Sequence, residues 1–259
     1  MNITPVTFCE NEINFNTIDV LENTGLVRAF FTTNKHTDYK YPNGSWLSNY
    51  KTISNLISIS ENSICATHQT HTNNVLIMTK DDSGEGITKP TSRTDYDGII
   101  TNEKNLLLCS YEADCVPVYF LDPVKKVVAM VHSGWKGTAK AICKTAVEKM
   151  CGNFGCDAKD VIAVIGPHAC KECYEVGKEL TEEFKINFEK ELDKIFIPFT
   201  EDKYKLDMQG AIEITLTECG VLSKNIYSVN RCTIESSDLC SYRRTHSKTE
   251  HMLTAIVLK

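Results

Sequence analysis

Three apolar runs of strand length sit close together in the middle of the chain: Leu106 to Cys109, Val116 to Leu121 and Val127 to Val131. A turn at Asp122-Pro123 separates the second from the third. Runs this short, bounded by turn residues, read as strands buried in a sheet. Val161 to Ile165, ending at Gly166-Pro167, and Met252 to Leu258 read the same way. Between them lie helical segments, one over about 138–150 with Thr138 as N-cap and Gly152 as stop, another capped by Asp207 and ending at Gly220. Strands and helices interleave without a clean linker, which predicts one α+β or α/β domain over 1–259. The first sixty residues show weak periodicity, with a turn at Asn43-Gly44, and 80–97 reads as a polar surface loop holding Gly84, Gly86 and Pro90.

Charge and cysteine content narrow the class. The 259 residues carry 34 acidic against 28 basic side chains, a formal net charge of −6. A mildly acidic chain is a poor general binder of nucleic acid, because neutralising phosphates needs a basic surface. No apolar run approaches the roughly 20 residues that span a bilayer, so no membrane association is expected. The start, Met1 to Pro5, lacks the basic and apolar stretches of a signal peptide. The expectation is a soluble cytoplasmic protein. Most of its 12 cysteines should then be reduced thiols packed as small apolar groups, at least eight of them with no other role.

The histidines are few, seven in all, and three settings matter. His71 ends His68-Gln69-Thr70-His71, just before an apolar segment. Cys115 follows Ala113-Asp114 at the start of a strand. His132 ends a strand directly before Ser133-Gly134-Trp135-Lys136-Gly137. A rigid strand end fixes a side chain, and a glycine turn lets a ligand approach it. Two imidazoles and one thiolate would leave a fourth position open on a tetrahedral zinc ion, the catalytic rather than the structural pattern. Spacing does not show that the three converge; the plain alternative is three ordinary packed or capping side chains. A competing metal or redox reading falls on Cys170-Lys171-Glu172-Cys173, with Cys151 and Cys156 as further ligands. A single C-x-x-C is a weak signal, and packing is preferred there.

Five motifs follow one another in order: Gln69-Thr70-His71; Ala113 to Val118; His132 to Gly137; Gly166-Pro167 through Cys173-Tyr174-Glu175-Val176-Gly177; and Ser241-Tyr242-Arg243-Arg244. Together they resemble the laccase-domain family, formerly called multicopper polyphenol oxidoreductases and now regarded as purine nucleoside phosphorylases. The resemblance is clearest over 64–259. It implies a single α+β domain with mixed β-sheets in α/β/β/α layers. It also implies zinc held by His71, Cys115 and His132, with copper able to bind in vitro. The implied activities are phosphorolysis of adenosine, inosine and methylthioadenosine, and deamination of adenosine, so the expected partners are purine nucleosides and phosphate.

The sequence departs from the family pattern in three places. Asn34-Lys35-His36 follows Thr33 where an Arg and a Gly-Gly turn are usual, Lys136 replaces an Arg, and Thr245 stands where an acidic residue is common. Lys136 keeps the charge but loses the planar fork. Arg231, Arg243 and Arg244 are the candidate substrate or phosphate contacts, since guanidinium groups bind oxyanions through bidentate bonds; an ion-pair role is the alternative for each. Asp114 and Glu175 are the candidate proton shuttles, with a turn bond as the alternative for Asp114. Trp135 and Tyr174 are aromatic candidates for purine stacking, with packing favoured for Tyr174.

Three other functions remain to be weighed. A polyphenol oxidase needs paired His-x-His motifs for its copper cluster, and the chain has none. A metal-dependent binding or quality-control protein would want a macromolecular surface that the charge pattern does not display. A cysteine hydrolase would use Cys115 as nucleophile and His132 as base.

Overall fold

The computed structural model describes residues 7–10, 13–33, 39 and 46–259. Its strands are β1 (Thr7–Glu10), β2 (Ile13–Thr17), β3 (Val27–Thr32), β4 (Ile64–Cys65) and β5 (Val75–Ile77). They continue as β6 (Gly98–Thr101), β7 (Leu107–Glu112), β8 (Val116–Asp122), β9 (Val127–Ser133) and β10 (Ile162–Ile165). The last are β11 (Glu175–Gly177), β12 (Phe196–Thr200), β13 (Lys203–Leu206), β14 (Ile226–Ser228) and β15 (Met252–Leu258). The helices are α1 (Asp19–Glu22), α2 (Trp46–Ile57), α3 (Trp135–Ala139) and α4 (Ile142–Phe154), then α5 (Leu180–Phe188), α6 (Leu192–Ile195), α7 (Met208–Glu218) and α8 (Tyr242–Thr245).

Two six-stranded mixed sheets dominate, ordered β1-β2-β3-β15-β7-β4 and β14-β10-β8-β9-β6-β5, with a small sheet β11-β13-β12 at one side. β4 runs parallel to β7, β5 to β6 and β14 to β10; the other pairs are antiparallel. The large sheets pack face to face. Tyr119, Leu121, Val128 and Met130 from one meet Ala29, Phe31, Leu108 and Ile256 from the other. The Tyr119 hydroxyl crosses between them to donate to the Phe30 carbonyl at 2.9 Å.

Alternation along each strand sends the remaining side chains outward. Val118, Phe120, Ala129 and Val131 pack under Ile142, Ala146 and Met150 of α4 and Ile212 and Leu216 of α7. On the far side Leu107, Cys109 and Leu253 pack under Tyr50 and Ile53 of α2. The layers are therefore α/β/β/α. β7, β8 and β9 are covered on both faces, which is why they read as continuous apolar runs rather than alternating ones.

The structure corrects three local expectations. Thr138 does not cap a helix over 138–150: Gly134 opens α3, and the chain breaks at Ala141, whose φ of 55° is left-handed, before α4 begins. The Thr138 hydroxyl instead bonds Ser133 Oγ and the Gly134 carbonyl. α4 ends at Gly155, in the left-handed C-terminal position, and not at Gly152. The loop 80–97 is polar at its rim, but Gly84 to Ile87 are buried against the α2 side of the core. Asp207 does cap α7, accepting from the Gly210 amide at 2.8 Å. The Asn43-Gly44 turn and Asn34-Lys35-His36 lie outside the described residues. Among the described residues, no helix is long and apolar enough to cross a membrane.

Candidate metal centre and its cavity

Strand register brings the site together. β8 and β9 pair Val116 with Ser133 and Pro117 with His132, so Cys115 falls opposite the turn that follows β9. β6 and β9 pair Gly98 with Val131, which sets Asp97 beside His132; the His132 amide donates to the Asp97 carbonyl at 2.7 Å. β5 pairs Val75 with the same Gly98, laying the 70–74 segment along Asp97. Residues tens of positions apart in sequence are thus fixed neighbours in the sheet.

His71, Cys115 and His132 converge, with their ligand atoms within 4.8 Å of one another. Cys115 Sγ lies 3.8 Å from His71 Nε2, and the two imidazole rings meet edge to face at 4.9 Å. A buried carboxylate organises them. Asp97 Oδ1 is 2.8 Å from His132 Nδ1 and accepts the His71 amide at 3.0 Å. Its Oδ2 accepts the Thr72 amide at 2.6 Å, the Thr72 hydroxyl at 2.8 Å and the Thr70 amide. These bonds hold His71 in a left-handed backbone conformation, φ 65°, which costs a non-glycine residue free energy unless its surroundings impose it.

The electrostatics follow from burial opposed by partners. Desolvation would raise Asp97, but the bonds from His132 and Thr72 win and hold the carboxyl down at about 2. Burial would raise Cys115, yet the imidazoles of His132 and His71 pull the thiol below its usual range. Burial would lower His132, yet the Cys115 sulfur and Asp97 raise it well above an ordinary histidine. Glu112, fully buried at the end of β7, is pushed up from 4.5 to about 7 by desolvation, against the pull of His132 and bonds from Ser110 Oγ (2.5 Å) and Thr254 Oγ1 (2.8 Å).

The donor set suits a borderline-soft divalent ion: two imidazole nitrogens and a thiolate, with a carboxylate behind one imidazole to fix its tautomer. The turn after β9 is shaped to leave the donors room. A Cβ placed on Gly134 would stand 2.6 Å from His71 Cδ2 and 3.1 Å from Cys115 Sγ. Only glycine keeps that space open.

The three donors line a cavity of about 480 Å³ together with Tyr111, Asp114, Trp135, Tyr174, Tyr242 and Arg243, and with Lys248 and His251. The Arg243 guanidinium sits over the Tyr174 ring at 5.2 Å and donates to the Glu175 carbonyl at 3.0 Å. Asp114, in the β7–β8 turn at φ 87°, accepts the Thr233 hydroxyl on one oxygen and the Arg243 amide on the other, each at 2.6 Å. Burial raises the Tyr174 hydroxyl to about 12.

Not every sequence candidate reaches this cavity. The Arg244 guanidinium is occupied by the carbonyls of Thr233, Ile234, Ser236 and Leu239 and does not line it. Arg231 pairs with Asp238 and lines a different cavity. The Glu175 carboxylate is held by Lys203 and Lys205, whose charges draw it below the usual carboxylate range. Lys136 lies 5.4 Å over Trp135 and does not line the cavity. Asp97, His251 and Lys248 were not singled out by the sequence. For Asp97 the available signal was its place immediately before the apolar run Gly98 to Ile100.

The C-x-x-C expectation also changes. Cys170 and Cys173 are joined by Cys232 and Glu235, not by Cys151 or Cys156. Cys156 is buried in the core under α4, and Cys151 packs half-buried beside it.

Known proteins share the sequence and the fold. The family model for the multi-copper polyphenol oxidoreductase laccase matches residues 32–259. A purine nucleoside phosphorylase of Bacillus subtilis, YlmD, is 36% identical over 193 residues, covering 74% of this chain and 69% of that protein. A purine nucleoside phosphorylase of Staphylococcus epidermidis, SERP0752, is 32% identical over 247 residues, covering 89% and 91%. The human purine nucleoside phosphorylase LACC1 is 32% identical over 161 residues, and the matched region spans about a third (34%) of that longer protein. Among solved structures, the hypothetical protein YfiH of Bacillus licheniformis superposes with a TM-score of 0.87 at 28% identity, over 96% of this chain and 100% of that one. YlmD of Geobacillus stearothermophilus superposes at 0.88 with 24% identity, over 98% and 99%, which speaks to the fold. With a family match over nearly the whole chain and a relative aligned across nine-tenths of both sequences, this chain belongs to the multi-copper polyphenol oxidoreductase laccase family.

Proposed function

We propose that this chain is a zinc-dependent purine nucleoside phosphorylase, acting on adenosine, inosine and methylthioadenosine, that also deaminates adenosine. The observation that carries the reading is one cavity lined by His71, Cys115 and His132 together with Arg243. Relatives named purine nucleoside phosphorylase support it, and so does a volume suited to a ligand of nucleoside size.

His71, Cys115 and His132 would hold the metal, and Asp97 orients His132 so that Nε2 faces it. Bound there, zinc supplies Lewis acidity at neutral pH. The chain's own residues do the rest. Arg243 gives a cation and planar donors for phosphate. Tyr174, Trp135 and Tyr242 give aromatic surface for a purine. Asp114 has both carboxylate oxygens engaged, so its role is to position Arg243 and the Thr233 segment rather than to carry protons. Arg244 ties together the segment beside the cavity, and Arg231 pairs with Asp238 away from it.

We take 1–259 as one domain, a reading supported by the core shared between the two large sheets. We place the protein in the cytoplasm, where Cys115 stays reduced.

A second reading has its own observation. Cys115, His132 and Asp97 form a thiol, imidazole and carboxylate in line, the order of a cysteine nucleophile with its base and orienting acid. Alkylation separates the two. A ligand cysteine is protected by zinc, whereas a nucleophile reacts readily and needs no metal.

The test is chromatography of adenosine incubated with zinc-loaded protein, with and without phosphate, beside Cys115→Ala. Adenine that appears only with phosphate and inosine that appears without it, both lost in Cys115→Ala, are the expected products. No turnover under either condition would overturn the nucleoside reading for this substrate.

A further inference from the structure

A second set of soft ligands lies outside the catalytic cavity. Cys170, Cys173, Cys232 and Glu235 bring three sulfurs and a carboxylate oxygen within 4.8 Å of one another, from two separate loops. The local chain is built to present them. The amide of Cys173 and the amide of Tyr174 both donate to the Cys170 carbonyl, at 3.0 and 2.9 Å, curling the C-x-x-C into a turn. The Cys170 amide itself points at Cys232 Sγ, 3.4 Å away, an N–H aimed at a sulfur that would carry charge as a ligand.

The loops are already in register: His168 bridges Cys232, with the His168 amide on the Arg231 carbonyl and the Thr233 amide on the His168 carbonyl. The cluster opens on a recess of about 330 Å³, where Lys171 pairs with Asp207 at 3.8 Å and Arg231 with Asp238 at 2.6 Å.

We propose that these four residues form a second metal site that takes a thiophilic divalent cation, of the zinc class, and that it is structural. Three thiolates and a carboxylate complete a tetrahedron, leaving no open position. Binding releases the thiol protons and cross-links the 170–174 turn to the 232–235 turn. That link matters for the cavity next door. Tyr174, one residue past Cys173, underlies Arg243, and Thr233, one past Cys232, holds Asp114. The site would fix the wall that carries Arg243 without touching substrate.

The experiment is metal counting on the full chain, reconstituted with excess zinc and desalted. The wild type is expected to hold two equivalents. Cys115→Ala should hold one, Cys173→Ser should hold one, and the double variant none. Cadmium added to Cys115→Ala should give a thiolate-to-metal ultraviolet band that weakens when Cys170, Cys173 or Cys232 is replaced by Ser.

If a variant fails to fold, mass-mapped alkylation of folded Cys115→Ala decides the matter, with zinc expected to protect Cys170, Cys173 and Cys232 together. A single equivalent lost entirely in Cys115→Ala would overturn the proposal. So would unprotected alkylation of these three thiols, or a mapped disulfide among them in freshly isolated protein.

Discussion

Asp97 stands 2.8 Å behind His132 and gathers, on its two oxygens, the amides of three successive residues centred on the other imidazole ligand, His71. One carboxylate thus sets the orientation of His132 and the backbone conformation of His71 at once. Asp97→Asn keeps the size but presents an amide N–H where the site needs an acceptor. The expected outcome is a loss of zinc affinity of about 10- to 100-fold, read by chelator competition, in a protein that remains folded. Unchanged affinity would show that Asp97 serves only the backbone.

Cys115 gives a pH prediction. In metal-stripped protein the neighbouring imidazoles favour the thiolate, so its iodoacetamide reaction should reach half its limiting rate below the ordinary thiol midpoint of about 8.5. Zinc should suppress the reaction. In His132→Ala the midpoint should move upward, because burial then acts with less opposition.

Glu112 makes stability depend on pH in a defined direction. Its folded-state value of about 7 lies above the ordinary 4.5, so the folded protein holds the proton more tightly than the unfolded chain. The stabilisation is present in acid and is lost as the pH rises from about 4.5 to 7. Across that window Glu112→Gln should flatten the fall in unfolding free energy by about 3 kcal/mol in metal-stripped protein. Chemical denaturation at several pH values measures it.

The two adjacent arginines should separate cleanly. Arg243→Ala should raise the KM for phosphate roughly 10-fold or more with little change in melting temperature. Arg244→Ala strands four carbonyls. It should destabilise the fold by about 3 kcal/mol, with the KM of the surviving folded protein nearly unchanged.

The middle of the fold was legible because its strands are buried on both faces. The runs 116–121 and 127–131 became β8 and β9 with only their ends extended. β2 was not, since Asn14, Asn16 and Thr17 blur the pattern of a strand whose neighbours supply the burial. The helix after His132 was misread because Thr138 has the chemistry of a cap, while the real break comes from Ala141, a residue with no turn signal.

At the site, each ligand looked promising alone, but their convergence depends on three strand pairings that no local pattern encodes. Asp97 was hidden for the same reason: its importance comes from what β6 lies beside. Cys232, some sixty residues from the C-x-x-C, could be joined to it only in three dimensions.

The most direct test of the account is inosine turnover by the zinc-loaded protein at varied phosphate, with hypoxanthine and ribose 1-phosphate both quantified. The account predicts that the two products form in equal amounts, saturate with phosphate, and vanish on chelation or in Cys115→Ala. Hypoxanthine released at the same rate without phosphate, or undiminished in Cys115→Ala, would contradict it.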